Sequence, residues 1–152
     1  MQKDKPNKFT KKERINSLIR IEMLFKLGTS FFVFPLRIVV NASPSSNNGS
    51  VSILISVSKR TQKKAVNRNR VKRLIREAYR TQKSSITQYA IQNHLNIEIA
   101  FIFTQKIIPD YTTLAHKVGN ALHLIPFKLK IKPNNETEIP EISQTDFISG
   151  EQ

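Results

Sequence analysis

The feature that most constrains this chain is a run of eighteen residues, KKAVNRNRVKRLIREAYR (63–80), in which eight positions are Lys or Arg. At 100° per residue, its apolar side chains form one helical stripe: Val71, Leu74, Ile75 and Ala78, with Tyr79 at the border. The basic residues fall on the other side. The run therefore predicts a helix from about residue 67 to 79 or 83 that packs by one side and presents a cationic ridge on the other.

The balance of signs argues against an ordinary solvated helix surface. Residues 59–83 hold eleven basic residues and one acidic residue, Glu77, whereas a solubilising helix surface intersperses Glu with Lys. Arginine outnumbers lysine within the helix, and guanidinium groups make bidentate contacts with phosphate oxygens. The whole chain carries a net charge of +14. Together these features predict a nucleic-acid partner.

Length and composition predict one domain between two tails. The chain has 152 residues, and the tails are expected at 1–12 (basic) and 133–152, which holds five acidic and no basic residues. The absence of cysteine excludes disulfides, thiolate catalysis and cysteine-bound zinc. The opening segment lacks the apolar core of a signal peptide, and the most apolar run, 31–40, is too short to span a bilayer. We therefore expect a cytoplasmic protein with no membrane or small-molecule partner.

Between the tails, at 13–132, the pattern predicts the order α-β-β-β-α-β-α. The predicted elements begin with a helix from Asn16 or Ser17 to Gly28, then two short strands at 30–34 and 36–40, or one bent strand, broken at Pro35. A loop at 41–50, a strand at 51–58, the basic helix, a strand at 97–104, and a helix from Asp110 to the residue before Pro126 follow. The apolar residues Leu18, Ile21, Leu24 and Phe25 recur at helical spacing in the first helix, and Leu114, Val118, Ala121, Leu122 and Ile125 form the buried stripe expected in the last. This order suits a two-layer α+β sandwich with the helices on one sheet face.

Three segments resemble one family. LISVSKR followed by KKAVNRNRVKRLIREAYR is similar to the signature of the bacterial ribonuclease P protein component, and IRIEMLFKLGTSFF and IEIAFIF resemble its first helix and a later strand. The likeness covers about residues 9–127. It implies the same α-β-β-β-α-β-α fold, with a left-handed crossover from the SVSK strand through the RNR helix to the next strand, an exception to the usual hand.

The resemblance also implies a function and a set of site residues. In this family a large RNA removes the 5′ leader of precursor tRNA, with Mg²⁺ held mainly by that RNA and none bound by the protein alone. The protein binds the catalytic RNA with the RNR region and the leader in a cleft between the first helix and the sheet. The residues implied for RNA binding are Lys59, Arg60, Lys63, Lys64, Arg68, Asn69, Arg70, Lys72, Arg73, Arg76 and Arg80. Those implied for the leader cleft are Phe25, Phe31, Phe32 and Phe34.

The sequence departs from the family pattern at two points in the cleft. Ile21 stands where the family often has a phenylalanine, and Val39 or Val40 stands where it often has a tyrosine. We therefore expect weaker stacking of leader bases, or stacking supplied by Phe32 or Phe34.

Two alternatives differ in function. A protein-borne nuclease would need a general base or a metal site, but His94, His116 and His123 lack metal-ligand spacing and no paired carboxylates are evident, so we reject it. A ribosomal-type RNA-binding protein shares the charge and the predicted sheet. Cleavage of precursor tRNA by the chain together with a bacterial catalytic RNA separates it from the ribonuclease P interpretation.

Overall fold

The computed structural model describes residues 8–131. The predicted acidic tail at 133–152 and residues 1–7 of the predicted basic tail lie outside the described residues. After a 3₁₀ turn at Lys11–Glu13, the elements are α1 (Leu18–Leu27), β1 (Thr29–Val33), β2 (Leu36–Pro44), β3 (Ser50–Val57), α2 (Ala65–Gln82), α3 (Ser84–Gln92), β4 (Leu95–Phe103) and α4 (Tyr111–Ile131). The α+β class is confirmed.

The four strands form one sheet in the order β1-β2-β4-β3. β1 and β2 form an antiparallel hairpin around Pro35, β2 and β4 are antiparallel, and β3 and β4 are parallel. β2 runs to Pro44 because Asn41–Pro44 pairs with Leu95–Glu98. The prediction that 41–50 is all loop is therefore wrong for its first four residues, and also for Ser50, where β3 begins.

The crossover between the parallel strands β3 and β4 contains two helices. Sequence reasoning ended the basic helix by residue 83 and assigned nothing to α3, whose Ile86 and Ala90 are buried one turn apart. α2 begins two residues earlier than predicted, at Ala65. The left hand of this crossover stays a prediction from the family resemblance.

The main core lies between one sheet face and the helices α2, α3 and α4. Alternate strand residues point into it, as the period of two requires, so β3 contributes Val51, Ile53 and Val57 while β4 contributes every second residue from Ile97 to Phe103. α4 contributes all five predicted positions, Leu114, Val118, Ala121, Leu122 and Ile125.

α4 begins where the sequence predicts but ends later. Asp110 caps the start of the helix, as expected: its side-chain Oδ1 accepts a hydrogen bond from the backbone N–H of Thr113. The helix does not end before Pro126 but continues to Ile131. Leu129, beyond the proline, is buried in the core, which gives the last turn an apolar contact that offsets the lost backbone hydrogen bond.

α1 packs on the opposite face of the sheet, so the prediction that all helices share one face is wrong. Its Leu24 is buried against Val39 and Ala100, which alternate with the residues of the main core. Ser17 caps α1 and Gly28 ends it, as predicted. Leu18 is 77% exposed, because α1 contacts the sheet along a narrow strip around Leu24.

The segment before α1 belongs to the folded part, so the predicted tail boundary at residue 12 is wrong for residues 8–12. The ring of Phe9 meets Tyr79 edge-on at 6.1 Å between centroids. Glu13 accepts two hydrogen bonds from the nearly buried Nζ of Lys83, at 2.7 and 2.9 Å. The backbone N–H of Ile15 donates to β3. These contacts fix the segment along the edge of the sheet.

Candidate nucleic-acid-binding surfaces

α2 has the predicted orientation. Val71, Ile75, Ala78 and Tyr79 are fully buried, whereas Leu74, expected in the same stripe, is only partly buried. Residues at this spacing share one side of a helix. The basic residues of α2 consequently lie on the side turned away from the sheet.

Most of the predicted RNA-binding side chains carry no internal partner. Within residues 8–131, no hydrogen bond or ion pair engages nine of these side chains: Lys59, Arg60, Lys63, Lys64, Asn69, Arg70, Lys72, Arg73 and Arg76. We call these nine residues the cationic surface. All nine are exposed or partly exposed. Their mutual repulsion opposes folding, and an anionic partner relieves it.

Arg80, which is among the residues predicted to bind RNA, has an internal partner. Its Nη2 lies 2.6 Å from Oε2 of Glu77 and its Nε donates to Oε1 at 3.0 Å. This bidentate hydrogen bond lowers the pKa of Glu77 and raises the pKa of Arg80. A carboxylate thus already accepts from two donors of Arg80, and a phosphate contact by Arg80 stays a prediction.

Arg68 also differs from the expectation that it points outward. Its Nη1 donates to the backbone carbonyls of Gln62 and Lys63, each at 2.9 Å, and the residue is half-buried. The prediction of an outward-facing ridge of unpaired cations is therefore wrong for Arg68, and the ion pair with Glu77 makes it wrong for Arg80 as well. Arg70, Arg73 and the other members of the cationic surface fit it.

Sequence reasoning missed Gln62. This side chain is 5% exposed, and its Nε2 donates to the carbonyls of Gln105 (3.1 Å) and Lys106 (2.6 Å). Its partners lie more than forty residues away, so no local pattern could reveal them. The only signal was an uncharged amide within a run of cations.

The second candidate surface lies between α1 and the sheet face that α1 covers. Phe32 pairs with Arg37, which pairs with Ile102, and residues paired across strands share a face. Phe32 is 62% exposed and Phe25 of α1 is 43% exposed. Arg37, which was not predicted, adds an exposed cation beside Phe32. We call this region the α1 cleft.

Phe31 does not belong to the α1 cleft. It alternates with Phe32 along β1 and packs, partly buried, against the main core. The centroid of its ring lies 5.4 Å from the Nζ of Lys128 on α4. Its inclusion among the cleft residues is therefore wrong, because neighbouring strand residues face opposite sides. Phe34 follows β1 and is exposed in the turn before β2.

The two departures from the family pattern fall on different faces. Val39 is buried beneath α1, beside the partly buried Ile21, whereas Val40 lies in the main core. Val39 is thus the residue that stands on the cleft side. Neither Ile21 nor Val39 supplies an aromatic ring there, and of the predicted cleft residues Phe25 on α1 and Phe32 on the sheet are exposed.

The three histidines of the chain are the candidate general bases of a protein-borne nuclease. His94, His116 and His123 are each exposed. Across the described residues, no group of three or more His, Cys, Asp or Glu side chains could hold a metal ion. In the same part of the chain, no helix is both long and apolar enough to cross a membrane.

The sequence matches a known protein family. The family model for ribonuclease P matches residues 9–123. The chain belongs to the ribonuclease P protein family. The ribonuclease P protein component of Porphyromonas gingivalis is 34% identical over 113 residues, which cover 74% of this chain and 82% of the relative. That of Nitrosomonas eutropha is 30% identical over 109 residues, covering 72% and 89%.

Solved structures agree on the fold. The ribonuclease P protein from Thermotoga maritima is similar with a TM-score of 0.58 at 24% identity, covering 72% of this chain and 94% of that one. Family membership places this chain in the ribonuclease P endoribonuclease context of tRNA processing. The matched residues include α1, the whole sheet and α2, and thus both candidate surfaces.

Proposed function

We propose that this chain is the protein subunit of ribonuclease P, that it binds the catalytic RNA through the cationic surface, and that it holds the 5′ leader of precursor tRNA in the α1 cleft. The RNA carries the chemistry, a magnesium-dependent cleavage that gives the mature 5′ end. The observation that carries the proposal is the cationic surface, which has no internal partners among residues 8–131, on a chain of this family. The holoenzyme works in the cytoplasm.

The cationic surface suits a folded RNA. Neutralising several phosphates releases their counterions, so the logarithm of the affinity falls by about 0.7 to 0.9 per phosphate for each tenfold rise in salt. Positive charge placed near the metal sites of the RNA lowers the repulsion between its phosphates. Mg²⁺, held mainly by the RNA, then binds at a lower free concentration.

The α1 cleft suits an unpaired leader. The exposed rings of Phe25 and Phe32 offer stacking surfaces worth about 1 to 3 kcal/mol per base, with little sequence preference. Arg37 beside Phe32 provides a contact for the backbone phosphate. Holding the leader in this way lowers the apparent KM for precursor tRNA without any catalytic side chain on the protein.

Reconstitution tests the proposal. The chain combined with a bacterial ribonuclease P RNA should cleave precursor tRNA at a Mg²⁺ concentration at which the RNA alone is inactive, and the chain alone should not cleave. Arg73→Gln/Arg76→Gln should raise the Mg²⁺ requirement. The control Lys117→Gln/Lys128→Gln removes the same charge from α4 and should not.

Two results would contradict the proposal. If the protein left both the Mg²⁺ requirement and KM unchanged, the chain would be an RNA-binding protein outside ribonuclease P. If both double variants behaved alike, net charge rather than the cationic surface would be responsible.

A further inference from the structure

The loop that joins β3 to α2, residues 58–64, holds four members of the cationic surface in seven residues: Lys59, Arg60, Lys63 and Lys64. Four like charges this close repel one another, so the loop needs anchors to keep one conformation. One anchor is local. The backbone N–H of Thr61 donates to Oγ of Ser58 at 3.2 Å, and that of Gln62 donates to the Ser58 carbonyl at 3.0 Å.

A second anchor ties the loop to a distant part of the chain. Nε2 of Gln62 donates to two successive carbonyls, those of Gln105 and Lys106, in the segment that follows β4. Because its side chain is buried beneath the loop, Gln62 has no surface to offer an RNA. Any effect of Gln62 on RNA binding must act through the conformation of the loop.

The third anchor is Arg68 in the first turn of α2. Nη1 of Arg68 donates to the carbonyls of Gln62 and Lys63, so it binds the loop on the helix side while Gln62 binds it on the β4 side. Gln62 thus ties this part of the loop to the segment after β4, and Arg68 ties it to α2.

We propose that Gln62 and Arg68 are positioning residues that fix the loop 58–64 in the conformation in which its cations meet RNA phosphates, and that Arg68 is not itself a phosphate contact. The proposal rests on the proposed function for its partner, the catalytic RNA. A loop without these anchors has to be ordered when the RNA binds, which weakens affinity without removing any phosphate contact.

Salt dependence distinguishes a positioning residue from a contact residue. Losing one phosphate contact lowers the slope of log affinity against log salt by roughly 0.7 to 1. Losing pre-organisation weakens binding by the same factor at every salt concentration, so the line shifts in parallel. Gln62→Met should shift the line by about tenfold with its slope retained.

A matched control is available in Gln82. Its Nε2 also donates to two backbone carbonyls, those of Ala78 and Ala115, but it joins α2 to α4 away from the loop. Gln62→Met and Gln82→Met both remove two such hydrogen bonds, and only the first should weaken RNA binding. Binding is measured with a bacterial ribonuclease P RNA between about 50 and 200 mM salt.

Two arginine variants test the role of Arg68 directly. Arg70→Gln should reduce the slope of log affinity against log salt by the amount of one phosphate contact, because Arg70 belongs to the cationic surface. Arg68→Gln should shift the line in parallel, and combining it with Gln62→Met should add little. Hydrogen exchange of the free protein should show faster exchange at the Gln62 amide in both positioning variants.

The proposal is overturned if Arg68→Gln lowers the slope as Arg70→Gln does, or if Gln62→Met binds as tightly as Gln82→Met. Hydrogen exchange separates this failure from failure of the proposed function. Should no variant or wild-type protein bind the catalytic RNA, the exchange rates still report whether Gln62 and Arg68 hold the loop.

Discussion

Replacing Glu13 with Gln should destabilise the protein far more than its place before the first helix suggests. Glu13 accepts from Nζ of Lys83 on both oxygens, and Nζ also donates to the carbonyl of Lys8. The two side chains are 17% and 8% exposed. Removing one partner of a buried ion pair costs about 3 to 5 kcal/mol because the other charge stays buried, and the partial exposure of Glu13 favours the lower end, about 3 kcal/mol.

Urea unfolding followed by circular dichroism at neutral pH measures this loss, and the thermal midpoint should fall by about 10 °C. Glu22→Gln is the control, since it makes the same charge change at an exposed position of α1. The double variant Glu13→Gln/Lys83→Met removes both charges and should recover much of the stability. Hydrogen exchange at the Ile15 amide, bonded to the Ile53 carbonyl, should speed up in the single variant.

The reasoning is refuted if Glu13→Gln is as stable as Glu22→Gln. It is also refuted if the double variant is no more stable than Glu13→Gln, because the loss would then not come from an unpaired ammonium group.

The remaining predictions concern the core, a helix cap and a buried hydroxyl. Ile75→Asp should abolish cooperative unfolding, because it places a charge at a fully buried position, whereas Leu74→Asp at a half-buried position should leave a folded protein. Thermal unfolding followed by circular dichroism measures both, and equal effects would show that α2 presents a different side to the core. The hydrogen bond from Thr113 lowers the pKa of Asp110, so wild type should exceed Asp110→Asn in melting temperature above the ordinary aspartate pKa of about 4. That excess should vanish as the pH falls through the lower pKa of the folded state, and an excess that persists in acid would contradict the assignment. The hydroxyl of Tyr79 has no partner among the described residues, so Tyr79→Phe should gain about 1 kcal/mol in urea unfolding. Burial, and secondarily Glu13, raises the pKa of Tyr79, so wild type alone should lose further stability as the pH rises above about 10, and a parallel decline in both proteins would argue against this.

The parts of the fold that sequence predicted well are those set by local pattern. The alternation of apolar residues from Val51 to Val57 predicts β3, and Pro35 predicts the break between β1 and β2, because both signals act through the geometry of adjacent residues. The buried side of α2 follows from helical spacing in the same way.

The errors arise where distant pairing decides the structure. Asn41–Pro44 reads as loop but becomes strand because β4 lies beside it. Leu18 shares the apolar spacing of α1 but is exposed because α1 covers only a strip of its sheet face. A lysine and a glutamine in basic stretches are ordinarily solvated, yet Lys83 and Gln62 are buried because Glu13 and the Gln105 carbonyl reach them from elsewhere in the chain.

In the candidate site, too, features set by local sequence pattern could be predicted, and features set by distant contacts could not. The part of the cationic surface on α2 could be predicted, since it requires only that basic residues lie opposite the apolar stripe of one helix. The internal partners of Arg68 and Arg80 could not, because each depends on which acceptor lies within reach of the guanidinium group. The placement of Phe31 failed for a third reason, since two adjacent phenylalanines cannot both face the cleft.

The position of α1, alone on its side of the sheet, has a consequence for how this protein can change over evolutionary time. The sheet acts as a partition with α1 on one side and α2 on the other. Substitutions at Phe25 or Phe32 can adjust one surface while the residues of α2 stay under separate selection. Under the proposed function, contacts with the leader can therefore change at these residues while the contacts with the catalytic RNA stay the same.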